Sequence, residues 1–373
     1  MANIYLDYAA TSRKHFDIIE KNMNILKEIY ANPSSSHTLG KKNDRLVREG
    51  REKIANTLNA SSNEIIFNSG GTESNNTVFN HVLNRFETGE IIITSIEHPS
   101  VKASAKRLER FGFKIHELSV DESGAISLDE LKEKINSKTV LISIMLANNE
   151  TGVLNPIKEI SELIADKNIL LHSDIVQALG KVAIDVKELG LDFASASAHK
   201  LGSLNNFGFL YAKDGDVEPL LLGGGQENGL RSGTTDLLGI LVLNDCLSET
   251  LNSISVLREL KNYFISELEK NGVEFEVNGS IENSLPNILN IYFKNIEAQR
   301  LITYLDARDI YISGGSACSS GNIKGSRIIT EMYNIERAAH SVRISVGFDT
   351  SRELIDEVVE KIVTLEKRIK ERN

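Results

Sequence analysis

From about Glu64 onward, short apolar runs alternate with segments of helical periodicity. Residues 64–67, Glu90–Thr94, 139–145 and 169–173 are strand-like, and each is followed by an amphipathic stretch. Strands spaced by helices predict βαβ units and an α/β fold built on a mostly parallel, doubly wound sheet. Ligands of such sheets bind outside the carboxyl ends of the strands. Nearly every unusual polar cluster in this chain sits at such an end. After about Thr235 the pattern changes: helical periodicity runs through residues 251–271 with few breakers and reads as one long connecting helix. Strand-like 287–293, a helix near Ala298–Asp306, strand-like 310–313 and 342–346, and a closing helix from Ser351 follow. These predict a smaller α+β domain. Residues 15–250 are expected to form the large domain, and residues 1–14 with 251–373 the small one.

At 373 residues the chain exceeds the size at which one core usually keeps growing, which agrees with two domains. Apolar content of 41% and charged content of 25% are those of an ordinary globular protein. The amino terminus has neither a basic nor an apolar targeting region, and no apolar stretch approaches the ~20 residues of a membrane span. A cytoplasmic protein without membrane contact is expected. The net charge of -10 argues against direct nucleic-acid binding. The basic run at residues 367–372 reads as a helix end favoured by the helix dipole. Two cysteines, Cys246 and Cys318, exclude a disulfide framework and a four-cysteine zinc site, and no metal is expected.

The chemistry concentrates at a few positions. Lys200 closes the small-residue run Ala194-Ser195-Ala196-Ser197-Ala198-His199, a setting that suits a cofactor aldehyde. Asp174 and Gln177 follow the strand at 169–173, where a carboxylate could hold a pyridine nitrogen protonated. A Schiff-base lysine and a pyridinium carboxylate are the protein groups that pyridoxal phosphate chemistry requires. Between a strand and a helix, Gly70, Gly71 and Thr72 offer N–H groups and a hydroxyl to a phosphate, although a tight βα turn with Thr72 as N-cap would use the same residues. His98 could stack on an aromatic cofactor and pass protons, or be a hydrogen-bonded loop histidine. The segment 148–152 offers amides, and turn chemistry alone would also explain it. The Gly-rich stretch 223–234, with Arg231 and Thr234, is costly to order unless an anion or a subunit packs there. Cys318, among small polar residues, reads as a reactive thiol, whereas Cys246, in an apolar helical run, reads as core. Arg343 lies among β-branched neighbours and suits either a carboxylate ligand or an ion pair.

Taken together, Tyr5-Leu6-Asp7-Tyr8-Ala9-Ala10-Thr11, Asn32-Pro33-Ser34-Ser35-Ser36-His37, Gly71-Thr72-Glu73-Ser74-Asn75-Asn76, Glu97-His98, Asn148-Asn149-Glu150-Thr151-Gly152, Asp174 with Gln177, Ser197-Ala198-His199-Lys200, Arg231-Ser232-Gly233-Thr234 and Ser316-Ala317-Cys318 resemble the cysteine desulfurases. These belong to the class V aminotransferase group of fold-type I pyridoxal 5'-phosphate enzymes, and the Ser-Ala-Cys-Ser setting is similar to group I. The resemblance implies that Lys200 holds the cofactor and moves protons, with His98 stacked on the ring and exchanging protons with the substrate. It implies that Asp174 pairs with the ring nitrogen, that Gln177 and Asn149 contact the ring hydroxyl, and that Gly71, Thr72, Ser197 and His199 hold the phosphate. Thr234 would reach across from a second subunit of a homodimer. Arg343 and Asn149 would take the carboxylate of L-cysteine, and Cys318 would accept its sulfur as a persulfide for delivery to an iron–sulfur scaffold or a tRNA-thiolation enzyme. The chain departs from the family pattern in the turn 202–208, in Ser173 and Ile175 beside Asp174, in Gly314-Gly315, and in stopping soon after its last helix. From Ile175 we expect added bulk near the ring. The other readings of these residues are a related pyridoxal phosphate lyase or aminotransferase, such as a selenocysteine lyase, and a cofactor-binding sulfur-trafficking adaptor with weak catalysis.

Overall fold

The computed structural model describes residues 3–315 and 325–371. After a short strand β1 (Ile4–Tyr5), seven strands build the main sheet: β2 (Ile65–Asn68), β3 (Glu90–Thr94), β4 (Lys114–Leu118), β5 (Thr139–Ser143), β6 (Leu170–Asp174), β7 (Phe193–Ser197) and β8 (Gly208–Ala212). Their order is β2-β8-β7-β6-β5-β3-β4. Pairings from β7 to β4 are parallel, and β8 is antiparallel to both of its neighbours. β2 therefore runs with the parallel strands, and the carboxyl ends of β2, β3, β5, β6 and β7 meet at one edge.

Strands β2, β5, β7 and β8 are buried throughout because both faces of the sheet are covered there, whereas the edge strand β4 is partly exposed. Successive side chains point to opposite sides. Ile66, Ile91 and Ile93 accordingly join a core with Val78, Phe79 and Val101, from the helices Gly71–Arg85 and Pro99–Glu109. Phe67, Ile92 and Ile142 join the opposite core with Ile54 and Ile240, from the helices Thr38–Thr57 and Leu237–Asn252.

His172, in the middle of β6, is a buried polar residue that ties three strands together. Its Nδ1 lies 2.7 Å from Ser143 Oγ and its Nε2 lies 2.9 Å from Ser195 Oγ, in full burial. Burial pushes its pKa down to about 3. In an unfolded chain the imidazole titrates near ~6.5, so between these values the unfolded state binds the proton that the folded state refuses. The stability from His172 is fully present above the unfolded value and is lost as pH falls, by up to about 1.4 kcal/mol per pH unit. His172→Gln is therefore expected to flatten the fall in thermal midpoint between pH 7 and pH 5. Parallel Tm–pH curves for the two proteins would contradict this.

A separate core gathers Ile4 and Leu6 with Phe264, Leu301, Ile344 and Ile355. It lies against β10 (Ile288–Phe293), which pairs antiparallel with β9 (Phe275–Val277) and β12 (Ser341–Ser345), and beside β11 (Ile310–Tyr311), the parallel partner of β1. The amino-terminal strand thus packs with carboxyl-terminal residues. The segment that follows it, Ala9-Ala10-Thr11, reaches the binding edge of the large sheet.

The helix expected over residues 251–271 is Ile254–Lys270, and a second helix precedes it across a bend. Helices Leu237–Asn252 and Ile254–Lys270 meet at 55°. Between them Ser253 Oγ donates to the Glu249 carbonyl at 2.7 Å, a back-bond of the kind that bends helices. No single helix among the described residues is long and apolar enough to cross a membrane, although this bent pair meets that measure by length and composition together.

Candidate active site

The strand ends and the segment Ala9-Ala10-Thr11 enclose a cavity of about 600 Å³. Asp174, the last residue of β6, is 7% exposed on its wall. Its Oδ1 accepts from the Val176 N–H at 3.0 Å and its Oδ2 from Asn75 Nδ2 at 2.9 Å. Gln177, in the turn after β6, donates from Nε2 to the Ala9 carbonyl at 2.9 Å, while its buried Oε1 has no partner. An unpaired buried acceptor costs about 1–3 kcal/mol, a penalty that a donor on a ligand would remove.

Lys200 follows β7 in a short turn that ends at Gly202 in the left-handed region. Its Nζ donates to the carbonyls of Ala9 and Ala10, each at 2.6 Å. His199 places Nδ1 3.1 Å from Thr11 Oγ1. Burial, and then the positive Lys200, Lys14 and Lys181 nearby, lower its pKa to about 3. His98 is the N-cap of the helix Pro99–Glu109. Burial lowers its pKa, Asp174 pulls it up, and Lys200 works with burial. Its neighbour Glu97 is buried, with Oε1 accepting from the Met145 N–H at 2.8 Å and from Thr94 Oγ1 at 2.9 Å. Burial raises the Glu97 carboxyl to about 8.

Gly70, Gly71, Thr72 and Ser197 form the anion side of the cavity, at the amino end of the helix Gly71–Arg85. Gly70 has φ +127°, and a Cβ on Gly71 would lie 2.7 Å from Val176 Cγ2. Only glycine leaves this backbone open to a phosphate. Arg343 is 1% exposed and makes the ion pair that was one of its two sequence readings. Nη2 pairs with Asp7 Oδ1 at 2.7 Å, Nη1 donates to the Asn149 carbonyl at 2.9 Å, Nε has no partner, and both Arg343 and Asn149 line the cavity.

Other expectations meet different surroundings. Thr234 is exposed and is not among the residues lining this cavity. Its loop is ordered by the chain's own ion pairs, Glu227 with Arg51 at 2.7 Å and Arg231 with Glu73 at 2.9 Å, so that Arg231 is engaged by a carboxylate. Ile175 does not add bulk at the ring site: it points away, fully buried in the large core. Ser173 is equally buried and donates to the Ile144 carbonyl at 2.8 Å. The turn after Lys200 contributes Asn205 and Asn206 to the cavity wall. Cys246 is fully buried, as its apolar helix predicted, and burial lifts its thiol to about 12. Cys318 lies outside the described residues. Just beyond that segment, Ser326 Oγ donates to Glu150, and Arg327 donates to the Ser95 carbonyl next to the His98 loop.

An amine and a carboxylate on one wall, an acceptor without a donor, and a glycine cradle at a helix amino end fit pyridoxal 5'-phosphate. Among the described residues there is no cluster of side chains that would hold a metal ion.

The Aminotransferase class-V family profile matches residues 4–358. A cysteine desulfurase IscS of Dictyoglomus turgidum is 39% identical over 97% of this chain and 96% of its own length. Among solved structures, a NifS-like protein superposes with a TM-score of 0.90 at 33% identity, covering 98% of this chain and all of that one. A protein named SspA, solved in complex with cysteine, has a TM-score of 0.81 at 31% identity over 92% of this chain and 98% of that one.

Proposed function

The chain belongs to the class-V aminotransferases and, among them, to the cysteine desulfurases, and we propose that it converts L-cysteine to L-alanine with pyridoxal 5'-phosphate, passing the sulfur to Cys318. The observation that carries this reading is that Lys200 and Asp174 share a cavity with the guanidinium of Arg343. Bound there, the cofactor supplies an electron sink for the substrate α-carbon.

The residues divide the remaining work. Lys200 would hold the cofactor aldehyde and move the α-proton, and Asp174 would hold a proton on the ring nitrogen. The Gly71 and Thr72 backbone, with Ser197 and His199, binds the phosphate. Gln177 Oε1 accepts from the ring hydroxyl. Arg343 and Asn149 take the substrate carboxylate, and a relative holding cysteine supports that substrate. The Cys318 thiolate forms a bond to the substrate sulfur as the Cβ–S bond breaks. The electron pair of that bond stays with the carbon fragment, which gains a proton and leaves as alanine, and Cys318 keeps a persulfide. An iron–sulfur scaffold or a tRNA-thiolation enzyme then accepts the sulfur.

We also propose a homodimer in which Thr234 completes the partner's phosphate site. The large apolar side chains Phe16, Tyr30 and Leu222, exposed at 74%, 77% and 81%, support a covered surface. Cys318→Ala is expected to remove alanine release and the persulfide together while the protein stays yellow. The check is alanine assay with mass spectrometry of the peptide carrying residue 318, and full sulfur transfer by the variant would end this proposal.

A further inference from the structure

A hydrogen-bonded chain runs from Asp174 to His98 through two residues to which no role has been given. Asn75 Nδ2 lies 2.9 Å from Asp174 Oδ2 and 2.9 Å from Ser100 Oγ. Ser100 Oγ lies 2.7 Å from His98 Nδ1, and the Ser100 backbone N–H donates to the same nitrogen at 3.2 Å. Asn75 is fully buried and Ser100 nearly so.

The direction of each bond follows from the one before it. A carboxylate only accepts, so Asn75 must turn its NH₂ toward Asp174. The opposite orientation would set two acceptors 2.9 Å apart in a buried site. The chosen one leaves Asn75 Oδ1 buried without a partner, a penalty of about 1–3 kcal/mol that the demand of the carboxylate outweighs. The second Nδ2 hydrogen goes to Ser100 Oγ. Having accepted there, Ser100 keeps its one hydroxyl hydrogen for His98 Nδ1, and the Ser100 backbone N–H, which donates to that same nitrogen, decides that Nδ1 accepts. A protonated Nδ1 would oppose that N–H.

We propose that Asn75 and Ser100 are positioning residues that fix the proton of resting His98 on Nε2, so that this ring meets the cofactor or substrate as a hydrogen-bond donor and not as a base. His98 lines the cavity and Nδ1 is occupied, so Nε2 is the nitrogen left for a ligand. With its proton there, Nε2 has no lone pair to receive another. A second proton at Nδ1 would displace two donors, and of the titratable groups that face the ring, Lys200 and His199 oppose it while Asp174 favours it. Abstraction of the α-proton then falls to Lys200. This division of labour rests on the desulfurase reading above, whereas the tautomer itself does not.

The test is nitrogen NMR of the holoenzyme labelled with ¹⁵N-histidine, with the His98 signals identified by their loss in His98→Gln. The expected spectrum has a protonated Nε2 and a bare, hydrogen-bonded Nδ1. Ser100→Ala removes one donor to the neutral form, so the acidic limb of the kcat/KM profile and the His98 titration should both move up by about one pH unit. Ser100→Thr should restore both. Asn75→Ala, which frees the Ser100 hydroxyl without touching the helix cap, should loosen the tautomer in the same direction and serves if Ser100→Ala does not fold. A wild-type His98 carrying its proton on Nδ1, or a Ser100→Ala protein with unchanged signals and an unchanged limb, overturns the proposal. Wild-type protein with the expected tautomer but no turnover of L-cysteine would sink the desulfurase reading and leave this one standing.

Discussion

Replacing Lys200 with alanine is expected to end L-cysteine turnover, with a loss of at least ~10²–10⁴-fold, the range that one positioned proton-transfer group carries. On the proposed function two roles would disappear together, the covalent seat of the aldehyde and the base for the α-proton. Nothing else on the cavity wall replaces the second. His98 has Nδ1 engaged by Ser100, and burial with nearby cations keeps the His199 pKa near 3. The fold itself should barely change. The amine donates to the carbonyls of Ala9 and Ala10 at a partly exposed position where water can replace it, so a loss of about 1 kcal/mol is expected. Lys200→Arg separates charge from chemistry, because a guanidinium keeps the charge and the donors but does not attach an aldehyde. Both variants should bind the cofactor without the absorbance of the attached form, and both should stay inactive with thermal midpoints near that of the parent. Turnover by Lys200→Arg at more than a few per cent of the parent rate would assign the residue an electrostatic role instead.

Much of the main sheet can be read from the chain because inner strands such as β3, β5 and β6 are buried almost throughout and bounded by polar turns. β3 and the helix Ala298–Asp306 fall where periodicity puts them, and β5 and β6 differ from expectation only at their ends. The helices Phe16–Glu28 and Thr38–Thr57 escaped for identifiable reasons. The first leaves Phe16 and Met23 in solvent, and the second packs through Gly40, Asn43 and Gly50 as well as Val47 and Ile54, so that its inner face is partly polar. At residue 253 one serine is a weak breaker in sequence. Its effect comes from a back-bond that only the folded helix makes.

The site divides in the same way. Lys200, Asp174 and His98 stand out in the sequence because each lies at or shortly after the carboxyl end of a strand, where an α/β sheet exposes its chemistry, and all three line the cavity. Asn75 and Ser100 carry no such mark. Their role arises where the flanks of the helices Gly71–Arg85 and Pro99–Glu109 meet, 25 residues apart in sequence. The carbonyls of Ala9 and Ala10 are more obscure still, since backbone acceptors on a segment brought in by the small core leave no signature in side-chain pattern. Ile175 shows the converse error. Adjacent in sequence to Asp174, which lines the cavity, it faces the opposite side, as alternation along an extended chain requires.

Asp174→Ala should be nearly as damaging to activity as the loss of Lys200, and more damaging to the fold. The carboxylate accepts from the Val176 N–H and from Asn75 Nδ2, and Asn75 is fully buried. Removing it strands a donor on each side, at about 1–3 kcal/mol for each group that water does not reach. A thermal midpoint several degrees below that of the parent is expected even without cofactor. For activity the charge matters separately from the shape. Asp174→Asn keeps an acceptor for the Val176 N–H but no longer offers an anion to hold a proton on the ring nitrogen, so turnover should fall by ~10²-fold or more while most of the stability returns. The same substitution removes the carboxylate that orients Asn75. The new amide can meet Asn75 in either sense, so the His98 tautomer should become mixed in Asp174→Asn although residue 174 does not touch the imidazole's own partners. Turnover, thermal midpoints and the His98 nitrogen signals, measured on both variants, separate these effects. An Asn variant with parental turnover would show that the negative charge of Asp174 has no part in the reaction.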